Sequence, residues 1–491
     1  MQIPSTRPLS RINIPAVVTA VAVLVIAALL IALPPLFGAV IVVGATAGVI
    51  IIARPRLGFY LLLLSIPVQD LGATGELTLT NALFGLTVLA WLLHRVAFGG
   101  KRLPRTIVGP FFAIFVAGLA LSLTVAQELT PGYAALFQWL KALMVYFLAL
   151  DFLRTRRQVF GALIALLIAG AGEAAIGLVQ YTTGIGPASF AIGEQFSRAY
   201  GTFGRPNSYA GYLEMIFPLG LAFAWWLWQN RPATEVWQRR VLRLAAIGAT
   251  GLIGLALLAS FSRGAWLGTA GGLGVMILLT SKRARAVAAT VGGVGGAFLL
   301  LGGASLLPSS VQDRVGSILG NADAPDVRTA YITAENFAIV ERLAHWEAGL
   351  NMFRSDRLFG IGLGNFNLRY SEFNVSPTFL ISQGHAHNYY IHVAAEAGLV
   401  GLLGYLLLLA TIVFTGFQSL RLTSGVNDNS LGRALAIACF GTITAVAIHN
   451  VFENLHVLSM GIQLSTAWAL LTIVAQPSWV ATTTAGDNEA R

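Results

Sequence analysis

His385-Ala-His387-Asn388-Tyr-Tyr-Ile-His392-Val-Ala-Ala-Glu396-Ala-Gly398-Leu-Val-Gly401 opens on titratable groups and then runs on, almost free of charge, to Phe417. A helix needs about 20 apolar residues to cross a hydrocarbon core, and this run is long enough. The histidines at its head therefore stand at a membrane boundary. Upstream of them lies the one long polar segment, Pro308 to Gly384.

Composition carries that reading to the whole chain. Of its 491 residues, 56% are hydrophobic and 11% charged, where soluble proteins have roughly a quarter charged. The chain reads as all-α, a polytopic transmembrane helical bundle of about 12–14 spans with one large extracytoplasmic loop containing helices. The candidate spans are 16–33, 36–53, 57–68, 82–98, 107–125, 132–153, 159–179, 208–228, 241–260, 264–280, 286–307, 388–418, 434–449 and 456–475. Residues 57–68 are short for a span, so a tilted, re-entrant or extended segment is expected there. The organisation that follows is transmembrane helices in 1–307, the large outer loop in 308–384, and C-terminal helices with a cytoplasmic tail in 385–491.

Basic residues set the sidedness, because short cytoplasmic loops are enriched in Lys and Arg. Nearly all fall on one set of connections, among them Arg7, Arg54, Arg102, Arg154, Arg240, Lys282 and Arg433, while the opposite short loops hold Arg198, Arg205 and Arg263. Both termini are thus expected in the cytoplasm. The net charge of +10 is explained by collars facing anionic headgroups, so a nucleic-acid partner is not expected. Arg7 and Arg11 before an apolar run imitate a signal peptide, but the run exceeds the usual core of about 7–15 residues. An uncleaved first span is expected instead. Cys439 is the only cysteine, which rules out a disulfide framework. Gly-rich apolar stretches such as Gly271-Gly272-Leu-Gly274 read as close helix contacts.

Polar groups gather at the outer ends of the spans. Gly201-Thr-Phe-Gly204-Arg205-Pro206-Asn207 reads as a turn before a helix that starts near Asn207, with Arg205 either solvated or a substrate contact. In Ser260-Phe-Ser262-Arg263-Gly264-Ala-Trp266, an arginine without an acidic neighbour needs an anion or a carbonyl array. Snorkelling is the plainer account, and the scarcity of basic residues on this side favours function. Around Glu341-Arg342-Leu-Ala-His345-Trp346, the spacing of Val340, Leu343, Leu350 and Phe353 predicts an amphipathic helix lying over the membrane domain, with Arg342, His345 and Gly349 on another face. Gly360-Ile-Gly362-Leu-Gly364-Asn365-Phe366 lacks the Gly-Lys-Ser/Thr ending of a phosphate loop and reads as a turn that admits close backbone approach.

His385, His387 and His392 have no cysteine or aspartate beside them, so no metal is expected. Structural hydrogen bonding suits His385 or His392. His387 has an ordinary pKa of about 6.5, which suits proton transfer near neutrality. Inside the spans are Lys141, Glu173, Glu214 and Glu396; Lys141 falls near the midplane and requires a buried partner.

Together the motifs at 201–207, 262–268, Arg342…Trp346, 360–366 and His387-Asn388…Gly398-Leu-Val-Gly401 resemble the O-antigen ligase family, whose relatives include O-antigen polymerases and bacterial protein O-oligosaccharyltransferases. The resemblance implies a glycosyltransferase that needs no metal and no cofactor. It would move a glycan from undecaprenyl pyrophosphate to an acceptor hydroxyl of lipid core, growing polysaccharide or protein, on the outer face of the bacterial cytoplasmic membrane. It places the family's functional arginines on Arg263 and Arg342 and its essential histidine on His387. Substrate contacts are expected at Arg205, Asn207, Asn388 and Lys141, although Arg205 departs from the family's frequent Asn. The rival within the family is a polymerase. From another class, a small-anion transporter would place its binding groups near the midplane on broken helices, and a purely structural scaffold would leave His387 unexplained.

Overall fold

The computed structural model describes residues 35–69, 78–100, 102–193, 195–232, 236–300, 326–333, 336–423, 430–476 and 479. Among them the chain is all-α but for one two-residue hairpin, β1 (Ala191–Ile192) antiparallel to β2 (Phe196–Ser197). The helices are α1 (Pro35–Ala53), α2 (Pro55–Ser65), α3 (Leu79–Phe98), α4 (Val108–Ser122), α5 (Leu129–Phe152), α6 (Arg156–Thr183), α7 (Pro206–Gln229), α8 (Trp237–Ala259), α9 (Arg263–Leu279) and α10 (Lys282–Leu300). Within the loop 308–384 lie α11 (Phe337–Ser355) and α12 (Phe366–Phe373), and after it come α13 (Tyr389–Thr423), α14 (Leu431–His449) and α15 (Gly461–Val474).

Eight of these segments are long and apolar enough to cross a membrane, and five shorter apolar helices accompany them. The protein is a multi-pass membrane protein. The expected span 16–33 and the end of 286–307 lie outside the described residues. Residues 57–68 fall mostly on α2, which at 11 residues is too short to span, and α15 has 14 residues. Burial ranks the helices: the span in α7 is 78% buried inside the protein and that in α14 72%, against 11% for α3. The former make the centre of the bundle, and α3 turns most of its surface to lipid. Close contact of α9 with α14 needs glycine, since a Cβ on Gly272 would come within 2.5 Å of the Gly441 carbonyl oxygen.

Two expectations are corrected. The run 388–418 is not one continuous helix: Gly398 breaks α13 with φ 59 and ψ −155. Residues 357–361 enter the break, where Leu399 N–H donates to Arg357 O (2.8 Å) and Ile361 N–H to Ala395 O (2.9 Å). Any Cβ on Gly398 would lie 2.3 Å from Leu358 O, so both the φ and the contact demand glycine. The second correction concerns α11. Its buried face is Val340, Ala344, His345, Ala348, Gly349 and Met352, whereas Leu350 is exposed. Small side chains win that face because they let α11 close on α13: a Cβ on Gly349 would meet Ile391 at 2.7 Å.

Candidate functional site

Four elements converge at one end of the bundle. The turn between α8 and α9 places Ser262 as N-cap, yet no side chain caps α9, so its first N–H groups point outward with the positive end of the helix dipole. Phe261 just before takes a left-handed φ of 50°, which swings the chain sharply into α9. Arg263 and Gly264 follow at the helix start. Arg342 reaches over from α11, with Nη1 donating to Ala338 O (2.9 Å) and Nε to Phe452 O (3.3 Å) beyond α14. Arg198, on the hairpin side, donates to Ser260 O (2.9 Å) and to Asn207 Oδ1 (3.2 Å). These groups, with Trp346, His449 and Phe452, line a cavity of ≈ 280 Å³. Three guanidinium groups and the start of a helix give it a positive lining.

Beside the cavity stands Glu453, which the sequence reading missed. Its Oε2 accepts Asn207 Nδ2–H at 2.7 Å, and its Oε1 lies 3.2 Å from His385 Nε2 and 3.4 Å from His387 Nδ1. Burial pushes the Glu453 carboxyl up, but His385, His387 and Arg342 outweigh it and hold it well below the ordinary carboxylate range. Burial pushes the His385 imidazole down to about 3, against the pull of Glu453. Its tautomer is fixed by the backbone, because His387 N–H donates to His385 Nδ1 (3.1 Å), leaving the proton on Nε2.

The same geometry bears on metal. His385, His387 and Glu453 offer ligand atoms within 4.8 Å of one another, close enough to share an ion. A metal-bound histidine normally donates its other ring N–H outward, whereas His385 Nδ1 accepts. The donor set therefore fits a proton path better than a metal.

His387 holds a left-handed φ of 51°, rare for a residue with a Cβ and a strain that tends to gather at functional sites. Trp346 of α11 locks this turn by donating Nε1–H to His387 O (3.3 Å). Nδ1 stands 3.4 Å from Glu453 Oε1, and neither ring nitrogen makes a hydrogen bond although both are buried. His345 is a different histidine. Its Nδ1 meets Glu341 O (2.7 Å) and its Nε2 accepts Gln383 N–H (3.1 Å), and burial lowers it to about 4. Both nitrogens are occupied, so it is a neutral strut beneath the His387 ring, 5.2 Å away.

Arg263 and Arg342, far apart in sequence, share the cavity wall; Asn207 lies on it too, and His387 one carboxylate away. Arg205, exposed, acts on His385 only through charge. Asn388 caps α13, its Oδ1 accepting Ile391 N–H (3.1 Å). Lys141 is elsewhere, buried in the bundle and donating to Asn81 Oδ1 (2.8 Å) and Ser459 Oγ (2.9 Å). The span glutamates each have their own partners. Glu173 accepts Thr202 N–H, Glu214 faces His449, and Glu396 accepts the N–H groups of Gly364 and Phe366, both at 2.9 Å. Besides Glu453, the sequence reading passed over His449, and it used Arg198 only in assigning the sidedness of the loops. The signal for the first two was a polar island, His449-Asn-Val-Phe-Glu453-Asn-Leu-His456, between two apolar runs.

Residues 248–406 match the family model described as O-antigen ligase. The matched stretch contains Arg263, Arg342 and His387. It supports the O-antigen ligase family, and with it a membrane glycosyltransferase of the ligase or polymerase type. No curated protein matches the chain.

Proposed function

We propose that this protein transfers a glycan from undecaprenyl pyrophosphate to an acceptor hydroxyl at the outer face of the cytoplasmic membrane, without a metal. The observation that carries the reading is the pairing of an arginine-lined cavity with a buried His387–Glu453 couple at its edge. Arg263 and Arg342 hold the pyrophosphate with paired N–H donors, which a lysine cannot imitate, and the open N-terminus of α9 adds its dipole. The negative charge that grows as the sugar's anomeric carbon leaves the phosphate oxygen is stabilised there. His387 Nε2 takes the proton of the attacking hydroxyl, and Glu453 steadies the imidazolium that results, as a carboxylate does for a catalytic histidine elsewhere. A single displacement inverts the anomeric centre.

The strain lacking this gene tests the reading. Its surface glycan should lose the transferred chains while lipid-linked glycan accumulates; long lipid-linked chains identify a ligase and single repeat units a polymerase. An unchanged profile of both would refute the proposal. The sidedness is tested separately with a reporter at residue 325, which must report the extracytoplasmic side.

A further inference from the structure

The cavity has a second histidine–carboxylate couple that this chemistry leaves unused. His449 is the last residue of α14, and its Nδ1 lies 2.9 Å from Glu214 Oε1 of α7. Both side chains are enclosed, at 1% and 0% exposure. Glu214 Oε2 has no hydrogen-bond partner. At this depth a carboxyl group needs a polar partner, and the His449 imidazole is in hydrogen-bond contact with it. With Nδ1 facing the carboxylate, the other edge of the ring points away from it. That edge lies against the start of α9: a Cβ on Gly264 would be 2.5 Å from His449 Cδ2 and 2.8 Å from Nε2. Both Gly264 and His449 belong to the cavity wall, together with Arg263 and Arg342. Glycine at 264 thus gives the ring room to present Nε2 to whatever the arginines bind.

Resting on the reading of the cavity as a pyrophosphate site, we propose that His449, braced by Glu214, donates a proton to the departing pyrophosphate. The charged groups facing it are Glu214 from α7, Arg263 from α9, and Arg198 and Arg342 across the cavity. The step balances: the acceptor oxygen forms its bond to the anomeric carbon and gives its proton to His387. The bond from that carbon to the phosphate oxygen breaks with its electron pair on oxygen, which takes the proton from His449 Nε2. One histidine gains a proton, the other loses one, and exchange with solvent resets both. The two couples thus act as base and acid on opposite sides of one bond.

The test uses the purified full-length protein in nanodiscs. Detergent extract of membranes from the deletion strain supplies unconsumed lipid-linked glycan and unmodified acceptor, and undecaprenyl pyrophosphate serves as the binding probe. His449→Ala should lower turnover at saturating donor by about 10²-fold or more, bind the probe as wild type does, and regain activity with added imidazole. Glu214→Gln, a second variant that keeps the volume, should lose about tenfold, an order-of-magnitude expectation for losing the charge behind the acid. Wild-type turnover in both variants, or a loss in His449→Ala matched by weaker probe binding and unrescued by imidazole, overturns the role. If Arg263→Lys and Arg342→Lys bind the probe undiminished, the reading of the cavity itself fails, which is a separate result.

Discussion

Among the described residues, two places gather donors that suit an anion, and the chain fills one of them with its own carboxylate. In the loop 360–366, a glycine-rich turn aims the N–H groups of Gly364 and Phe366 at a carboxylate, and the chain supplies it: Glu396 of α13 accepts both. At the start of α9 the N–H groups are uncapped, and Arg263, Arg342 and Arg198 surround a cavity in place of a side-chain anion. The first arrangement fastens the loop 360–366 to the broken helix and so helps hold α11 and Arg342 over the bundle. The second has no carboxylate among the residues that line it. Backbone donors by themselves do not identify a ligand site, and the test is whether the protein already satisfies them.

The sharpest way to separate chemistry from binding in the open site is His387→Ala. Transfer should fall about 10²–10⁴-fold while affinity for undecaprenyl pyrophosphate stays near that of wild type. A large loss of affinity, with residual transfer at saturating donor, would make His387 a ligand group rather than the base. Next in size, Arg263→Lys and Arg342→Lys should each weaken pyrophosphate binding roughly tenfold to a hundredfold, since a charge-assisted hydrogen bond contributes about 1.5–3 kcal/mol. Titration of the purified variants measures this.

The closed site should respond in the opposite manner. Glu396→Ala strips the acceptor from two N–H groups and should destabilise the protein by about 2–6 kcal/mol, at roughly 1–3 kcal/mol for each orphaned group. In the variant that still folds, pyrophosphate affinity should hold. Thermal unfolding in detergent beside a binding titration distinguishes the two effects, and a binding loss without a stability loss would erase the contrast drawn here.

The smallest expected effect is on pH. His345 and His385 titrate at about 4 and about 3 in the folded protein, against about 6.5 when unfolded. Between those values the unfolded chain takes up protons that the folded one refuses, so stability is complete above about pH 6.5 and declines as pH falls. Moving from pH 7 to 5 should cost on the order of 1 kcal/mol for each histidine. The melting temperature should drop accordingly, and His345→Gln should flatten the slope. Glu453, held low, has the same sign but a window below the ordinary carboxylate range, so it adds nothing between pH 7 and 5.

The sequence alone determined the class and much of the site. Apolar runs at membrane length made the chain a helical membrane protein, because in lipid every backbone group must be satisfied within the helix. Arg263, Arg342 and His387 stood out as candidates because charged and polar groups at the ends of apolar helices are costly and conspicuous. The stretch at 360–366 was legible as a turn of close approach and not as a nucleotide site. Only the tertiary structure decided the rest. That Gly398 breaks α13 depends on residues 357–361 entering the gap, and that α11 buries its small face depends on the surface it packs against. Glu453, His449 and Glu214 acquire their meaning from partners on other helices. A carboxylate or an imidazole is chemically the same in every helix, and what sets its role is the charge and the cavity that packing brings to it.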